Sequence, residues 1–532
     1  MNNKVLPAIT LTIGIIISVI TPVQASTSTQ SQPNIIVIMT DDLGYGDVSS
    51  YVDVEKHGEP VISTPNIDKL ASSGLRFTSG YVSAATCTPS RYSFLTGISS
   101  FRTEGTGIAP PSAPAIIKPG TLTIANIAQQ AGYKTAVIGK WHLGLGDPKP
   151  NWNGALKPGP LEIGFDYSFI LPTTGDRVPS VYVENHHVVN LDADDPITVS
   201  RNRIGNQPTG KLNRDTLRMD WSRNHNHSIH NGIGRQGYMS GGIKALWKDE
   251  DLADAFTQKA VKFIEESQQT KVNKPFFLYF ATHEIHVPRM PHKRFQGKSS
   301  LGPRGDAILA ADWSVGKIID TLDALNIRDN TWIIFTSDNG PVLDDGYKDK
   351  AEELNKQRNH RPAGVFSGSK YSPNEGGTRV PFISTWPNQI KAGVSDSIVS
   401  ATDLLTSVAK LLNQPVPANA AADSLDMLDV LLGKENAEGH ASIIQHAGPR
   451  GFGYREGDWK LIEAHKRKSK KKRKTEKPTI TYKLYNLEDD PAEKKDLSKQ
   501  QPERLETMKN NFKKLQNQGY TRPGYLVDSK AE

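Results

Sequence analysis

The chain has 532 residues, 36% hydrophobic and 23% charged, an ordinary globular composition that calls for one large domain with a smaller one appended. Cys87 is the only cysteine, so no intrachain disulfide can form. The formal charge is +7, but eight Lys and Arg residues fall within 466–474, which leaves the rest at −1 and excludes a chain-wide basic surface for nucleic acid.

Residues 1–25 begin with Lys4, continue through an apolar stretch at 11–20 and end Val23-Gln24-Ala25, the pattern of an export signal with a small-residue cleavage site. A periplasmic or secreted protein is expected. A stable membrane anchor is not, because the stretch is short of about 20 apolar residues and is broken by Thr12, Gly14 and Ser18. No cysteine stands near the signal to carry a lipid.

The apolar run 35–39 reads as a buried strand that delivers Asp41 and Asp42 at its carboxyl end. Helices are expected over 66–73 and 123–131, the second leading into a strand at 134–138. Periodicity fades between 172 and 242, where a long irregular insertion is expected to wall a pocket. His225, His227 and His230 lie in it at a spacing that suits polar loop residues better than a metal site. A helix over 252–267, a strand at 276–281, a helix over 313–325 and a strand at 332–336 follow, the last ending in Ser337-Asp338-Asn339-Gly340. Alternating strands and helices imply an α/β fold with a large, mostly parallel central sheet flanked by helices. Strands at 442–445, 459–463 and 479–484 and a helix over 502–517 suggest a C-terminal α+β subdomain, residues 439–532. Its basic loop, 466–474, falls between the second and third of those strands, as a solvated loop or as a capture site for an anionic polymer. The catalytic domain is then 26–438.

Asp41, Asp42, Asp338 and Asn339 are oxygen donors from two strand ends, a set that suits Ca2+ better than Zn2+. Pro89 suits the first turn of a helix, which puts Cys87 at a helix amino terminus, where amides and the dipole favour an anion.

Cys87-Thr88-Pro89-Ser90-Arg91, closed by Thr96-Gly97, resembles the signature of the formylglycine-dependent sulfatases of the alkaline phosphatase superfamily. The resemblance extends through Asp41-Asp42-Leu43-Gly44-Tyr45-Gly46-Asp47, Gly139-Lys140-Trp141-His142-Leu143-Gly144, His283-Glu284-Ile285-His286-Val287-Pro288 and the segment from Lys370 to Pro381. It implies that a maturation enzyme oxidises Cys87 to formylglycine and that Asp41, Asp42, Asp338 and Asn339 hold one Ca2+. It also implies that Arg91, Lys140 and Lys370 neutralise sulfate oxygens, His286 protonates the leaving group, and His142 helps collapse a covalent sulfate hemiacetal. His283 lines the pocket or only supports it. The implied activity is hydrolysis of sulfate monoesters, with a sulfated carbohydrate favoured. An aryl sulfatase, a phosphonate or phosphodiester hydrolase of the same superfamily, and a sulfoglycan-binding protein that never matures its cysteine are the alternatives. Which sugar is cut, and in what oligomeric state, is not written in the sequence.

Overall fold

The protein is described by a computed structural model covering residues 1, 2, 4, 32–269, 274–466 and 478–526. The expected signal, except for residues 1, 2 and 4, and all of the basic run beyond Lys466 lie outside the described residues.

A ten-stranded sheet forms the centre. In chain order its strands are β1 (Asn34–Thr40), β2 (Leu75–Tyr81), β3 (Lys134–Lys140), β4 (Tyr167–Leu171), β5 (Val183–Glu184), β6 (His187–Val188), β7 (Phe276–Ala281), β8 (Thr331–Ser337), β9 (Phe382–Thr385) and β10 (Gly393–Ser400). Their spatial order is β10-β2-β9-β8-β1-β7-β3-β4-β5-β6. The four strands β8, β1, β7 and β3 run parallel to one another. β9 is antiparallel to both β8 and β2, so β2 points the same way as the central four. The mostly parallel α/β architecture expected from the alternation is therefore present.

Both faces of the sheet are covered, which is why β1 is apolar from Ile35 through Met39 rather than alternating. Ile35, Val37 and Met39 enter one core with the helices Cys87–Thr96, Ile124–Gln130 and Leu404–Leu411. Ile36 and Ile38 enter the other, with the helices Pro65–Ser72, Leu252–Gln268 and Gly302–Ala324. Leu252, Phe256, Ala260 and Ile264 recur every four residues and make the buried stripe of their helix. Each large apolar side chain so buried contributes about 2 kcal/mol.

Two expected boundaries move. Strand β3 continues through Gly139 and Lys140, so Lys140 lies on the strand and not in the loop beyond it. The helix expected from 313 begins at Gly302, because Pro303 stands in its first turn, where its missing N–H costs nothing.

A separate four-stranded antiparallel sheet follows: β11 (Ser442–His446), β12 (Gly451–Glu456), β13 (Trp459–Lys466) and β14 (Thr479–Asn486), backed by the helix Pro502–Gln518. β12 was not expected; its Gly451-Phe452-Gly453 start hides the strand pattern. Gly453 is required there, since a Cβ would stand 2.7 Å from the Pro373 carbonyl oxygen. With β12 in place, the basic run connects the third and fourth strands of this sheet. Residues from Pro33 onward form one compact unit.

Candidate active site

The strand directions gather the chemistry at one edge. Asp41 and Asp42 follow β1, Lys140 ends β3, His283 and His286 follow β7, and Asp338 and Asn339 follow β8. Cys87 follows β2 by six residues, and Lys370 precedes β9, the antiparallel strand, so both reach the same edge. Main-chain bonds fasten these ends together: Asp41 N–H donates to Glu284 O at 3.0 Å, Asp338 N–H to Thr40 O at 3.0 Å, and Tyr371 N–H to Ala85 O at 2.8 Å.

Cys87 is the first residue of a ten-residue helix in which every residue is buried. Thr86 enters it in extended conformation, and Gly97 ends it at φ 66, where a Cβ would also meet Ala421 at 2.8 Å. Thr88 Oγ donates to the carbonyl of His142 at 2.9 Å and accepts from Ala109 N–H at 3.1 Å. Burial pushes the Cys87 thiol up to about 12, against the pull of Lys140 and Lys370, so the unmodified side chain stays protonated and unreactive.

Potential ligand atoms of Asp41, Asp42, Asp338 and Cys87 lie within 4.8 Å of one another. Asp41 Oδ1 and Asn339 Oδ1 are buried and lack hydrogen-bond partners. The Asp41 carboxyl is pushed well above its usual range by burial and by neighbouring Asp338, despite Lys140 at its other oxygen. Crowded carboxylates with two orphaned oxygens are what a hard divalent cation would relieve, and the donor set carries no imidazole or thiolate requirement. The residues present therefore fit a Ca2+-type ion.

Cations ring this cluster. Arg91 Nε donates to Asp338 Oδ2 at 2.9 Å, and its Nη1 reaches Lys140 O at 3.0 Å and Tyr279 Oη at 3.1 Å. Lys140 Nζ pairs with Asp41 and stands 3.8 Å from Asp338. Lys370 Nζ is 2.9 Å from Asp42 Oδ1 and 2.9 Å from Asp345 Oδ2. Burial works against its charge, but Asp345 and Asp42 outweigh it and raise the ammonium well above its usual value. Burial lifts Asp42 too, but Lys370 and Lys140 bring it below the ordinary carboxylate value.

The three histidines take different positions. His286 Nδ1 donates to Val287 O at 2.7 Å, which leaves Nε2 facing Asp42 at 3.8 Å and Asp345 at 3.9 Å. His142 Nε2 lies 3.1 Å from Ala109 O, a carbonyl that Arg177 Nη1 shares at 2.9 Å, and His142 Nδ1 is buried without a partner. Burial first, then nearby cations, hold both rings well below the usual imidazole value. His283 Nε2 accepts from Gly175 N–H at 3.1 Å and so braces the first turn of the insertion.

Sequence reasoning missed Asp176, Arg177, Asp345 and Tyr371. The first two come from the insertion at 172–242 and the others from loops without periodicity; no signal in the residues marked them. His225 and His230 do not gather at a cation: His225 pairs with Asp176 at 2.8 Å and His230 with Ser180 Oγ at 2.9 Å. His227 stacks on Tyr238. Asp47, the last residue of its motif, is no part of the oxygen cluster; it binds Arg304 at 2.7 and 2.6 Å and His360 at 2.8 Å.

Residues 33–414 match the sulfatase family model. The chain is 47% identical over 498 residues, 90% of this chain and 93% of the other, to an N-acetylgalactosamine-6-O-sulfatase of Bacteroides thetaiotaomicron. It is 31% identical over 405 residues to human arylsulfatase A, covering 75% of this chain and 68% of that one. A solved structure of a 6S-sulfatase from Bacteroides thetaiotaomicron, described under the metabolism of multiple glycosaminoglycans, superposes with a TM-score of 0.85 at 45% identity, over 91% of this chain and 99% of that one. A matched domain over most of the chain, a shared fold, and the convergence of Cys87, three cations and four oxygen donors at one sheet edge make this protein a sulfate-ester hydrolase of the sulfatase family.

Proposed function

We propose that the protein is an exported, Ca2+-dependent carbohydrate sulfatase that removes a 6-O-sulfate from an N-acetylgalactosamine unit after Cys87 has been converted to formylglycine. The 47% identity to an N-acetylgalactosamine-6-O-sulfatase, spread over 93% of that protein, carries the substrate assignment. The signal-like residues 1–25 carry the export assignment, and the domain boundary near 439 rests on the separate sheet that begins at Ser442. Among the described residues no helix is long and apolar enough to cross a membrane.

Asp41, Asp42, Asp338 and Asn339 would hold the cation, which supplies positive charge to a sulfate oxygen. Formylglycine at 87 supplies an oxygen nucleophile, made by a maturation enzyme acting on the thiol. The chain's own residues do the rest. The helix amino terminus at 87 directs amides toward the anion. Lys140, Arg91 and Lys370 are buried cations already held in place, so charge that builds on sulfate meets fixed partners instead of reorganising water. His286 holds its one proton on Nδ1 toward Val287, so Nε2 is the atom that faces the site; neutral at rest, it would take up a proton as the anionic substrate binds and pass it to the departing sugar oxygen. His142 keeps Nδ1 free to accept the proton released at residue 87.

Intact mass around residue 87, measured on protein made with its maturation enzyme, is expected to fall by about 18 Da as thiol becomes aldehyde. The same sample is expected to release sulfate from 6-sulfated N-acetylgalactosamine in preference to its 4-sulfated isomer and to aryl sulfates. Cleavage of phosphonate esters alone, or faster turnover with Mn2+ than with Ca2+, would refute the assignment.

A further inference from the structure

Lys370 has two ion-pair partners among the described residues, and they are not equivalent. Asp42 is a donor for the cation. Asp345 is outside the group formed by Asp41, Asp42, Asp338 and Cys87, although its carboxylate also comes within 4.8 Å of ligand atoms of Asp42 and His286; it sits on the loop after β8, 2.9 Å from Lys370 Nζ. It is itself held by Tyr371 Oη at 3.1 Å, with Arg223 at 3.7 Å and His286 Nε2 at 3.9 Å. When a divalent ion takes the Asp42 oxygens, it repels the ammonium that now shares them. A long, flexible lysine with its first partner withdrawn would swing away from the site unless a second carboxylate kept it.

We infer that Asp345 is a positioning residue: it holds Lys370 at the sulfate once Asp42 is committed to the cation, and Tyr371 holds Asp345 in turn. The inference rests on the proposed sulfate-binding role of Lys370. Three features favour it over a merely structural role. Asp345 remains 14% exposed at the side chain while Lys370 is 2% exposed, so the carboxylate lies on the solvent side and the ammonium is pinned between it and Asp42. The two oxygens of Asp345 divide their work, one toward Lys370 and both within reach of the Tyr371 hydroxyl. Finally, Lys370 and Tyr371 are sequence neighbours, and Tyr371 takes a left-handed backbone at φ 72 that turns its ring back beside the preceding lysine.

The test is a mutant cycle on mature, full-length, Ca2+-loaded enzyme with 6-sulfated N-acetylgalactosamine, read together with the rise in melting temperature caused by inorganic sulfate. Asp345→Asn is expected to lower kcat/KM by about tenfold or more and to shrink the sulfate-induced shift, as misplacement of a single fixed charge would. Tyr371→Phe, which deletes only the hydroxyl, is expected to do the same to a smaller degree. In a Lys370→Ala background neither substitution should cause further loss, because both act through that lysine. Losses that multiply in that background, or an Asp345→Asn enzyme within twofold of the parent while Lys370→Ala is crippled, overturn the inference and leave the role of Lys370 standing. Lys370→Ala with full activity and an unchanged sulfate shift overturns both.

Discussion

Arg91 and Asp338 form an ion pair with neither side chain exposed, Nε to Oδ2 at 2.9 Å and Nη2 to the same oxygen at 2.8 Å. The pair ties the helix that presents residue 87 to the strand end that presents two oxygen donors, so the proposed nucleophile and the proposed cation site are set in one frame. Arg91→Lys keeps the charge but cannot reach Asp338, Lys140 O and Tyr279 together. A loss of about 1–3 kcal/mol in urea-unfolding stability is expected from the buried acceptors left unmet, with at least a hundredfold loss in kcat, the scale of losing one preorganised donor. Stability within about 0.5 kcal/mol of the parent, the scale of a neutral surface change, would show that the frame does not depend on it.

The orphaned oxygens of Asp41 and Asn339 make a prediction about metal. Ca2+ at about one hundred times its dissociation constant should stabilise the protein by about 2.7 kcal/mol, seen as a higher melting temperature that EDTA reverses. Asn339→Ala, which removes one oxygen and the Nδ2 bond to Asp42 at 2.7 Å, should weaken Ca2+ binding in calorimetry. Undiminished affinity would exclude Asn339 as a ligand.

Acid sensitivity is expected at Asp47. Burial lifts this carboxyl, but Arg304 and His360 overcome it and hold it at about 2. A depressed carboxyl contributes stability that is fully present above its unfolded value of about 3.9 and is lost as pH falls toward 2. Asp47→Asn should therefore lower stability at pH 7 by about 3 kcal/mol and flatten the decline in stability between roughly pH 4 and pH 2. An unchanged acid limb would assign the sensitivity elsewhere.

Lys460 and Glu375 form a second buried pair at 2.6 Å, joining β13 to the segment that follows Lys370. Lys460→Met strands Glu375 without its nearest cation, and a loss of about 3–5 kcal/mol is expected. Activity at low temperature should fall less than stability, because Lys460 contacts none of the reacting groups. Equal losses in both would place it closer to the chemistry than its contacts suggest.

Much of the site was legible because its residues sit at strand ends inside dense motifs: Asp41-Asp42 after an unbroken apolar run, Asp338-Asn339 after another. The central parallel strands were legible for the same reason, being buried on both faces. The edge was harder. β10, Gly393–Ser400, is half exposed and reads Gly-Val-Ser-Asp-Ser, which carries neither an apolar run nor clean alternation. β2 begins Leu75-Arg76 and includes Ser79 and Gly80, and its burial comes from neighbours far away in sequence. Asp345, Asp176 and Arg177 were invisible because loop residues acquire their meaning only from what the fold sets opposite them.

The docking of the small sheet has a consequence in time. β11 is stitched to the stretch just before the nucleophile: His446 N–H donates to Ser83 O at 2.8 Å and Ala85 N–H to His446 O at 2.9 Å. The segment leading into Cys87 is therefore pinned at Ser83 and Ala85 by a residue made about 360 positions later, a delay on the order of tens of seconds at ordinary synthesis rates. Until the ribosome has released that last portion, the segment leading into Cys87 lacks these bonds, and the proposed maturation enzyme would have that interval to bind it as an extended peptide. Once β11 is seated, its bonds fasten the segment that leads into Cys87, so the proposed oxidation of the thiol would have to come before that docking.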